Sequence, residues 1–419
     1  MTELAEGGLA GPAGTSSAPS PAVAPPPGNP RFPLFDSLRG IAVLFLIAFH
    51  VSGATGYINK ATLGDASAVL GYLAPILFFV ISGFLLYRPY VAARAAGRPR
   101  PSSARYARRR VLRIVPAYWT ALTVLAIFPG VVGAFSGDWW RYYGFLQLYS
   151  HRTLGGGIPV AWTLCVEVAF YVSLPLWAMA VRRLGARRGS RGWLPTELLP
   201  IAAAALVGIV IQVLAARHVV SDLVGDSILG HSVWLALGMA LAVASVAFEH
   251  GQLAPRWVRP VVDHPGVCWL LGAACFAGLV AVLHPGGFLH IIAALRTEQP
   301  IPRTLGAIAL TAVLTASVVL PAIFGERAGG LPRRFLAAAP VAWIGLISYG
   351  IYLWHLPVVE LLALPRDPGH FSASGLGLAG KIHHATTPII FALSLAVTAV
   401  VAALSYYLVE LPFLRRKEG

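Results

Sequence analysis

The sequence predicts an all-α integral membrane protein with about ten transmembrane helices. Three observations predict it. Of 419 residues, 57% are hydrophobic and only 12% charged, and soluble domains carry roughly twice that charged fraction. Mean hydropathy is +0.71. Apolar runs of about twenty residues recur from end to end, the length that crosses a bilayer as a helix. Helices follow because backbone polar groups in lipid must be satisfied within each segment. A net charge of +15 would suggest nucleic acid in a soluble chain. Here the positive residues sit in short segments between spans and report topology, so no nucleic-acid partner is expected.

Residues 1–31 read as a disordered Pro/Ala-rich cytosolic tail. They hold Glu3 and Glu6 and lack the basic start and apolar core of a signal peptide. A transmembrane domain follows over 32–415, with a basic end at 416–419. Spans are expected at 37–55, 68–87, 112–134, 160–182, 197–216, 229–247, 266–284, 302–324, 340–362 and 386–410. With a cytosolic N-terminus both ends lie inside, and the inner segments hold most of the 32 Lys and Arg. The segment between spans two and three is the richest, from Arg88 through Arg94, Arg98 and Arg100 to Arg110 and Arg113. Anionic lipid is the ordinary contact of such arginines. No internal repeat stands out, and no soluble domain is expected after span ten. Pro75, Pro116, Pro175 and Pro357 fall inside spans, which membrane helices tolerate. Cys165, Cys268 and Cys275 are odd in number and lie in apolar stretches, so neither a disulfide framework nor a metal site is expected.

The first span carries the most informative pair. Arg39 and His50 are eleven residues apart, which returns them to nearly one helix face about 16 Å apart along the axis. An ionisable group in hydrocarbon is costly and rare unless it faces a cavity. His50 is placed about 18–20 Å from the inner edge of a roughly 30 Å core, and Glu167 and His355 are placed at a similar depth. Two histidines and a carboxylate at one level can supply a general base and a partner that holds its tautomer. Structural interhelical hydrogen bonds are the alternative. The other ten histidines fall in loops or near span ends, where a solvated side chain is expected.

Arg110 and Arg113 open span three at i and i+3, one face of a helix. Two guanidiniums at a pore mouth suit phosphate. Phe78-Phe79-Val80-Ile81-Ser82-Gly83 in span two combines aromatic bulk with small residues, serving either packing or a substrate tunnel. Trp162 precedes Glu167, with an interfacial tryptophan belt as its bland explanation. Tyr352 and Trp354 precede His355.

This set of motifs resembles the acyltransferase 3 family, integral-membrane enzymes that modify sugars and other hydroxylated acceptors in bacteria. Its Arg-x10-His signature matches Arg39 and His50, and its FFxxSG motif matches Phe78 to Gly83. Its RxxR motif matches Arg110 and Arg113. A WSLxVE-like stretch stands as Trp162-Thr163-Leu164-Cys165-Val166-Glu167, and SYxxYLWH matches Ser348 through His355. A VExP-like ending is Val409-Glu410-Leu411-Pro412. The resemblance covers about residues 32 to 415. It departs at Cys165, where serine is usual, and at Val168, where a second acid often follows.

The resemblance implies catalysis at His50 and an acyl-CoA donor, most often acetyl-CoA; the residues themselves suggest Glu167 as the catalytic partner and Arg39, Arg110 and Arg113 as the site for the donor's phosphates. It implies substrate contacts at Phe78, Phe79, Ser82, Trp162, Tyr352, Trp354 and His355, and no permanently bound cofactor or metal. The implied acceptor is a hydroxyl of a glycan, a glycolipid or other lipid-linked molecule, or a secondary metabolite, and the implied location is the bacterial plasma membrane. The SGNH-type domain fused in some members is not expected. His50 acts as general base or as an acylated relay, which the sequence does not decide. Two other functions fit the residues less well: a proton-coupled transporter using His50, Glu167 and His355, and a non-catalytic lipid-binding scaffold.

Overall fold

The computed structural model describes residues 32–59, 63–188, 193–283, 298–325, 329–363 and 387–416. The expected tail 1–31, most of the C-terminal end and the expected loop 364–385 lie outside the described residues. Among the described residues the regular elements are all helical, and nine helices are long and apolar enough to cross a membrane. In chain order the helices used below are α1 (Leu34–Ala54), α2 (Leu63–Ala95), α3 (Ser103–Ile127), α4 (Trp162–Arg188) and α5 (Trp193–Ala216). They continue as α6 (Ser232–Glu249), α7 (Pro265–Leu283), α8 (Ile301–Ile323), α9 (Ala339–Leu346), α10 (Ser348–Ala363) and α11 (Thr387–Ser405). The chain is an all-α integral membrane protein.

Three expected spans differ. Span nine is two helices, α9 and α10, bent by 74° at Ile347. Each half is pinned to a different neighbour. At Gly345 a Cβ would lie 2.1 Å from the Asp36 carbonyl oxygen of α1, and at Gly350 it would lie 3.0 Å from Ala402 of α11. The bend falls between the two contacts. Span three stops at Ile127, not 134, because Pro129 pushes Phe128 out of the helical region, to φ −151°, ψ 127°. It also starts earlier, at Ser103, where the Ser102 hydroxyl accepts the Arg105 backbone N–H. Span two runs on to Ala95, so Arg88 and Arg94, expected in a lipid-facing loop, are helical residues with acid partners. Arg88 meets Glu249 at 2.5 Å and Arg94 meets the fully buried Glu197 at 2.6 Å. Glu197 also accepts a hydrogen bond from Tyr87.

Contact between α2 and α6 sets the inner frame. The two run in the same direction: Phe79 meets His231 just before α6, Gly83 meets Leu235 and Gly238, and Arg88 meets Ser245 and Glu249. The crossing depends on paired glycines. A Cβ on Gly238 would sit 2.1 Å from the Val80 carbonyl oxygen, and one on Gly83 2.4 Å from that of Leu235. In lipid, where apolar surface gains little by leaving the solvent, such backbone proximity is a main source of helix association.

A second fixture is Arg333, which is 1% exposed. Its guanidinium donates to the carbonyls of Val261, Val262, Pro321, Phe324 and Gly329. Carbonyls at helix ends lack intrahelical partners, and a fixed cation among them satisfies several at once. Arg333 thereby ties the end of α8 to the helix Pro255–Asp263.

The glycine contact is directly testable. Gly238→Ala should lower the thermal midpoint of the detergent-solubilised chain, since overpacking costs about 1–3 kcal/mol. Gly306→Ala, at a position with open space around it, should leave the midpoint unchanged or raise it. Equal melting of the two variants would contradict the packing account.

Candidate active site

α1 and α10 carry the two buried histidines to one point. His50 is 7% exposed and His355 is fully buried. His355 Nε2 lies 3.3 Å from His50 Nδ1, with ring centroids 5.0 Å apart. Their remaining contacts assign the protons. His355 Nδ1 faces two backbone carbonyls, Tyr352 at 2.8 Å and Ile351 at 3.1 Å. A carbonyl can only accept, so His355 carries its proton on Nδ1 and presents a lone pair at Nε2. His50 Nδ1 lies 2.9 Å from the Leu46 carbonyl and next to that lone pair, so it too must be the protonated nitrogen. The lone pair of His50 is left on Nε2.

His50 opens on a cavity of about 270 Å³ whose walls include Tyr72, Phe78, Trp162, Thr163 and Tyr352. The Tyr352 hydroxyl donates to the Val160 carbonyl at 2.5 Å, and Thr163 meets it at 2.8 Å. These bonds hold the start of α4 against α10. Trp162, for which an interfacial belt was the bland expectation, is a cavity wall.

The expected trio of His50, His355 and Glu167 does not form. Glu167 accepts from Ser82 at 2.9 Å and from Tyr171, one turn along α4, at 2.5 Å. The partner that holds the His50 tautomer is His355, and the carboxylate belongs to another cluster. Helix geometry explains this: α4 enters from the opposite side to α1, and the turn after Thr163 carries Glu167 past the histidines toward the arginines.

Those arginines do gather. Arg39 pairs with Asp36 at 2.9 Å and feels the charges of Arg113 and Glu167. Arg110 feels Arg113 and Arg39, and its guanidinium lies 5.9 Å from the centroid of the Tyr171 ring. Its buried Nε has no hydrogen-bond partner among the described residues. Three like charges held together repel, and an arrangement of that kind favours an anion between them. Asp36 and Tyr171 were not expected from sequence. Each sits one helical turn from a motif residue, at i−3 from Arg39 and i+4 from Glu167, which is the signal that was available.

The remaining expected site residues divide. Phe78 lines the cavity, Ser82 holds Glu167, and Phe79 is fully buried against His231. Trp354 is half-buried, and its indole N–H has no partner among the described residues. Cys165, at the departure from the family motif, is buried with its thiol on the Ala161 carbonyl at 3.5 Å. His231 reverses an expectation: assigned to a solvated span end, it is buried. Nothing in its sequence neighbourhood distinguishes it from the other histidines near span ends. Near the chain end, residues Tyr406–Glu410 form a π turn, a feature frequent at functional sites. It keeps Glu410 near both Tyr406 and Tyr349, and the Tyr349 hydroxyl donates to the Ile114 carbonyl at 3.0 Å.

The proton assignment has a direct spectroscopic check. In the full-length protein with ¹⁵N-labelled histidine, the His50 resonances, identified by their loss in His50→Ala, should report a protonated Nδ1 and a bare Nε2. The opposite tautomer would contradict the relay.

Comparison with known proteins identifies the family. The acyltransferase 3 family, described as an acyltransferase domain, matches residues 33–408. Peptidoglycan O-acetyltransferase OatA of Listeria monocytogenes is 23% identical over 92% of this chain and 56% of its own length. Acyltransferase MdmB of Streptomyces mycarofaciens is 25% identical over 93% of each chain. The chain thus spans just over half of OatA and nearly all of MdmB. No solved structure matches. With the family match running from α1 to the π turn, the chain belongs to the acyltransferase 3 family.

Proposed function

We propose that this protein transfers an acyl group, acetyl in the simplest case, from acyl-CoA to a hydroxyl of a glycan or lipid-linked acceptor at the bacterial plasma membrane. The observation that carries the reading is the His355–His50 pair. It leaves a bare Nε2 at a cavity, at the opposite end of one helix face from three clustered arginines.

The donor side is the arginine cluster. Arg39, Arg110 and Arg113 hold the CoA phosphates, on the cytosolic face if the N-terminus is cytosolic as the arginine distribution favours. Glu167 and Asp36 keep the cluster from being so positive that it disperses when empty. The pantetheine arm passes Ser82 and Phe78 along α2 and brings the thioester to His50, about 16 Å along α1 from Arg39. The aromatic walls Phe78, Trp162 and Tyr352 around that point limit the entry of water, which would otherwise compete as acceptor.

In the transfer, His50 Nε2 takes the proton of the acceptor hydroxyl as its oxygen attacks the thioester carbonyl. The C–S bond breaks, the electron pair leaves with sulfur, and the proton passes to the thiolate, giving ester and free CoA. While His50 is charged, its Nδ1–H donates to the His355 lone pair, so His355 stabilises the imidazolium and prevents ring rotation. The same lone pair serves if His50 is acylated first. His355 fills the place usually taken by a carboxylate, without placing a charge in the membrane interior. The name of OatA supports a peptidoglycan-like glycan as acceptor class.

Purified protein in lipid nanodiscs with acetyl-CoA tests this. His50→Ala should lower acetyl transfer by about 10²–10⁴-fold, the usual loss on removing a general base. Arg113→Ala should chiefly raise KM for acetyl-CoA. Wild-type turnover in His50→Ala, or proton-coupled uptake into liposomes without acyl-CoA, would overturn the reading.

A further inference from the structure

A cavity of about 320 Å³ lies apart from the histidines, walled by α1, α2, α7 and α8. On α1 it is lined by Ile41 and Phe45, whereas the His50 cavity takes Leu46, Phe49 and His50. Ile41 and Phe45 follow Arg39 by two and six residues, so the cavity lies about 3–9 Å deeper along α1 than that arginine, inside the apolar core. Its wall is hydrocarbon apart from two groups, and both are already bonded. The Thr315 hydroxyl donates to the Thr311 carbonyl at 2.8 Å, and the Trp269 indole N–H donates to the Val318 carbonyl at 3.4 Å. A cavity so lined offers water nothing to bond. Ala273 of the wall is exposed, beside the exposed Leu270 and Leu271, so the cavity opens on the lipid-facing surface of α7.

Two short amphipathic helices meet at the end of this cavity nearest the start of α7. One is Pro255–Asp263, where Arg256, Trp257 and Arg259 are exposed and Val258 is buried. The other is Gly330–Ala337, where Leu331 and Phe335 are exposed. Together they hold four arginines and one acid, Asp263. Arg333 joins them through its bonds to the carbonyls of Val261 and Val262. The Trp269 ring, a wall of the cavity, packs against the Phe335 ring with centroids 6.0 Å apart. The Ser37 hydroxyl, in the first turn of α1, donates to the Leu336 carbonyl at 2.6 Å, so the pair sits at the same end of α1 as Arg39. Exposed aromatic and aliphatic side chains set among arginines fit the boundary of a bilayer, where the rings enter the chains and the guanidiniums stay among headgroups.

We propose that this is a phospholipid site: an anionic headgroup lies at Arg256 and Arg259, and one acyl chain enters the cavity past Trp269 to lie against Ile41 and Phe45. Position and charge together select the occupant. Lipid chains are the solvent on the open side of the cavity, and the helices at its end carry a positive excess that favours an anionic headgroup over a zwitterionic one. Ile41 and Phe45 lie between Arg39 and His50 on α1, so an occupied cavity braces the helix that carries both ends of the candidate active site. The inference is independent of the acyl-transfer reading.

The test titrates the full chain in mild detergent with phosphatidylglycerol brominated at mid-chain. Quenching of Trp269 is read as the difference between wild type and Trp269→Phe. It should saturate, and at lower lipid concentration than with equally brominated phosphatidylcholine. Unbrominated phosphatidylglycerol should raise the thermal midpoint. The double variant Arg256→Ala, Arg259→Ala should bind phosphatidylglycerol about 25-fold more weakly, since each arginine near an anionic headgroup is worth about fivefold. Both positions are on the surface, so this variant tests the site even where a cavity variant fails to fold. Gly272→Leu should abolish the saturable quenching and the thermal shift together. A Cβ at Gly272 meets nothing nearer than Val318 at 3.5 Å, so the first added carbon is accepted and the rest fills the cavity. Equal quenching of wild type by the two lipids would overturn the proposal, as would unchanged phosphatidylglycerol binding in the arginine variant or in a folded Gly272→Leu. Displacement of phosphatidylglycerol by a brominated long-chain acyl-CoA that itself quenches Trp269 would assign the cavity to a donor chain, and would overturn it equally.

Discussion

A histidine sealed among helices takes its tautomer from what its neighbours can accept, and here that rule runs through two rings in series. Backbone carbonyls of α10 hold the proton of His355 on Nδ1. The freed lone pair of His355 then holds the proton of His50 on its own Nδ1. Which nitrogen of His50 keeps a free lone pair is thus selected by peptide groups two steps away. The bend at Ile347 and the glycine contacts of α9 and α10 matter to function because they set where those carbonyls lie. A neutral pair also suits the surroundings, since a carboxylate in that place would need compensation that hydrocarbon does not provide.

The same economy shapes the other half of the site. Glu167 is kept among hydroxyls and arginines, where its charge has partners, and the arginines are kept together by Asp36, Glu167 and the Tyr171 ring. Charged chemistry is confined to one end of α1 and neutral acid–base chemistry to the other. Between them lie aromatic walls. In the proposed function, this division would let one helix serve a polyanionic donor at one end and the reaction at the other.

Much of this was legible in the sequence. The eleven-residue spacing of Arg39 and His50 put both on one face, and apolar run lengths gave the spans, because helix geometry converts sequence distance to depth without tertiary information. His355 was legible as a buried group but not as the partner of His50. That pairing depends on the path of α10 after a bend, and the bend comes from glycine contacts with helices far away in sequence. Glu167 was misplaced in depth: Thr163 meets Tyr352 at the level of the histidines, and the next turn of α4 carries Glu167 past them to Ser82 and Tyr171. Arg88 and Arg94 looked like loop cations because their acid partners, Glu249 and Glu197, lie more than a hundred residues away. His231 gave no signal, since burial at a span end follows from how α2 and α6 cross at Gly83 and Gly238.

The central claim is that His50 and His355 act as one unit, and a double-mutant cycle on acetyl-CoA turnover tests it most directly. His50→Ala, His355→Ala and the double variant would be compared in nanodiscs under one set of conditions. If the two form a relay, the double variant should be no slower than His50→Ala, because removing the orienting ring costs nothing once the oriented one is gone. Losses that multiply, with the double variant slower by the product of both single effects, would mean independent roles and would contradict the account.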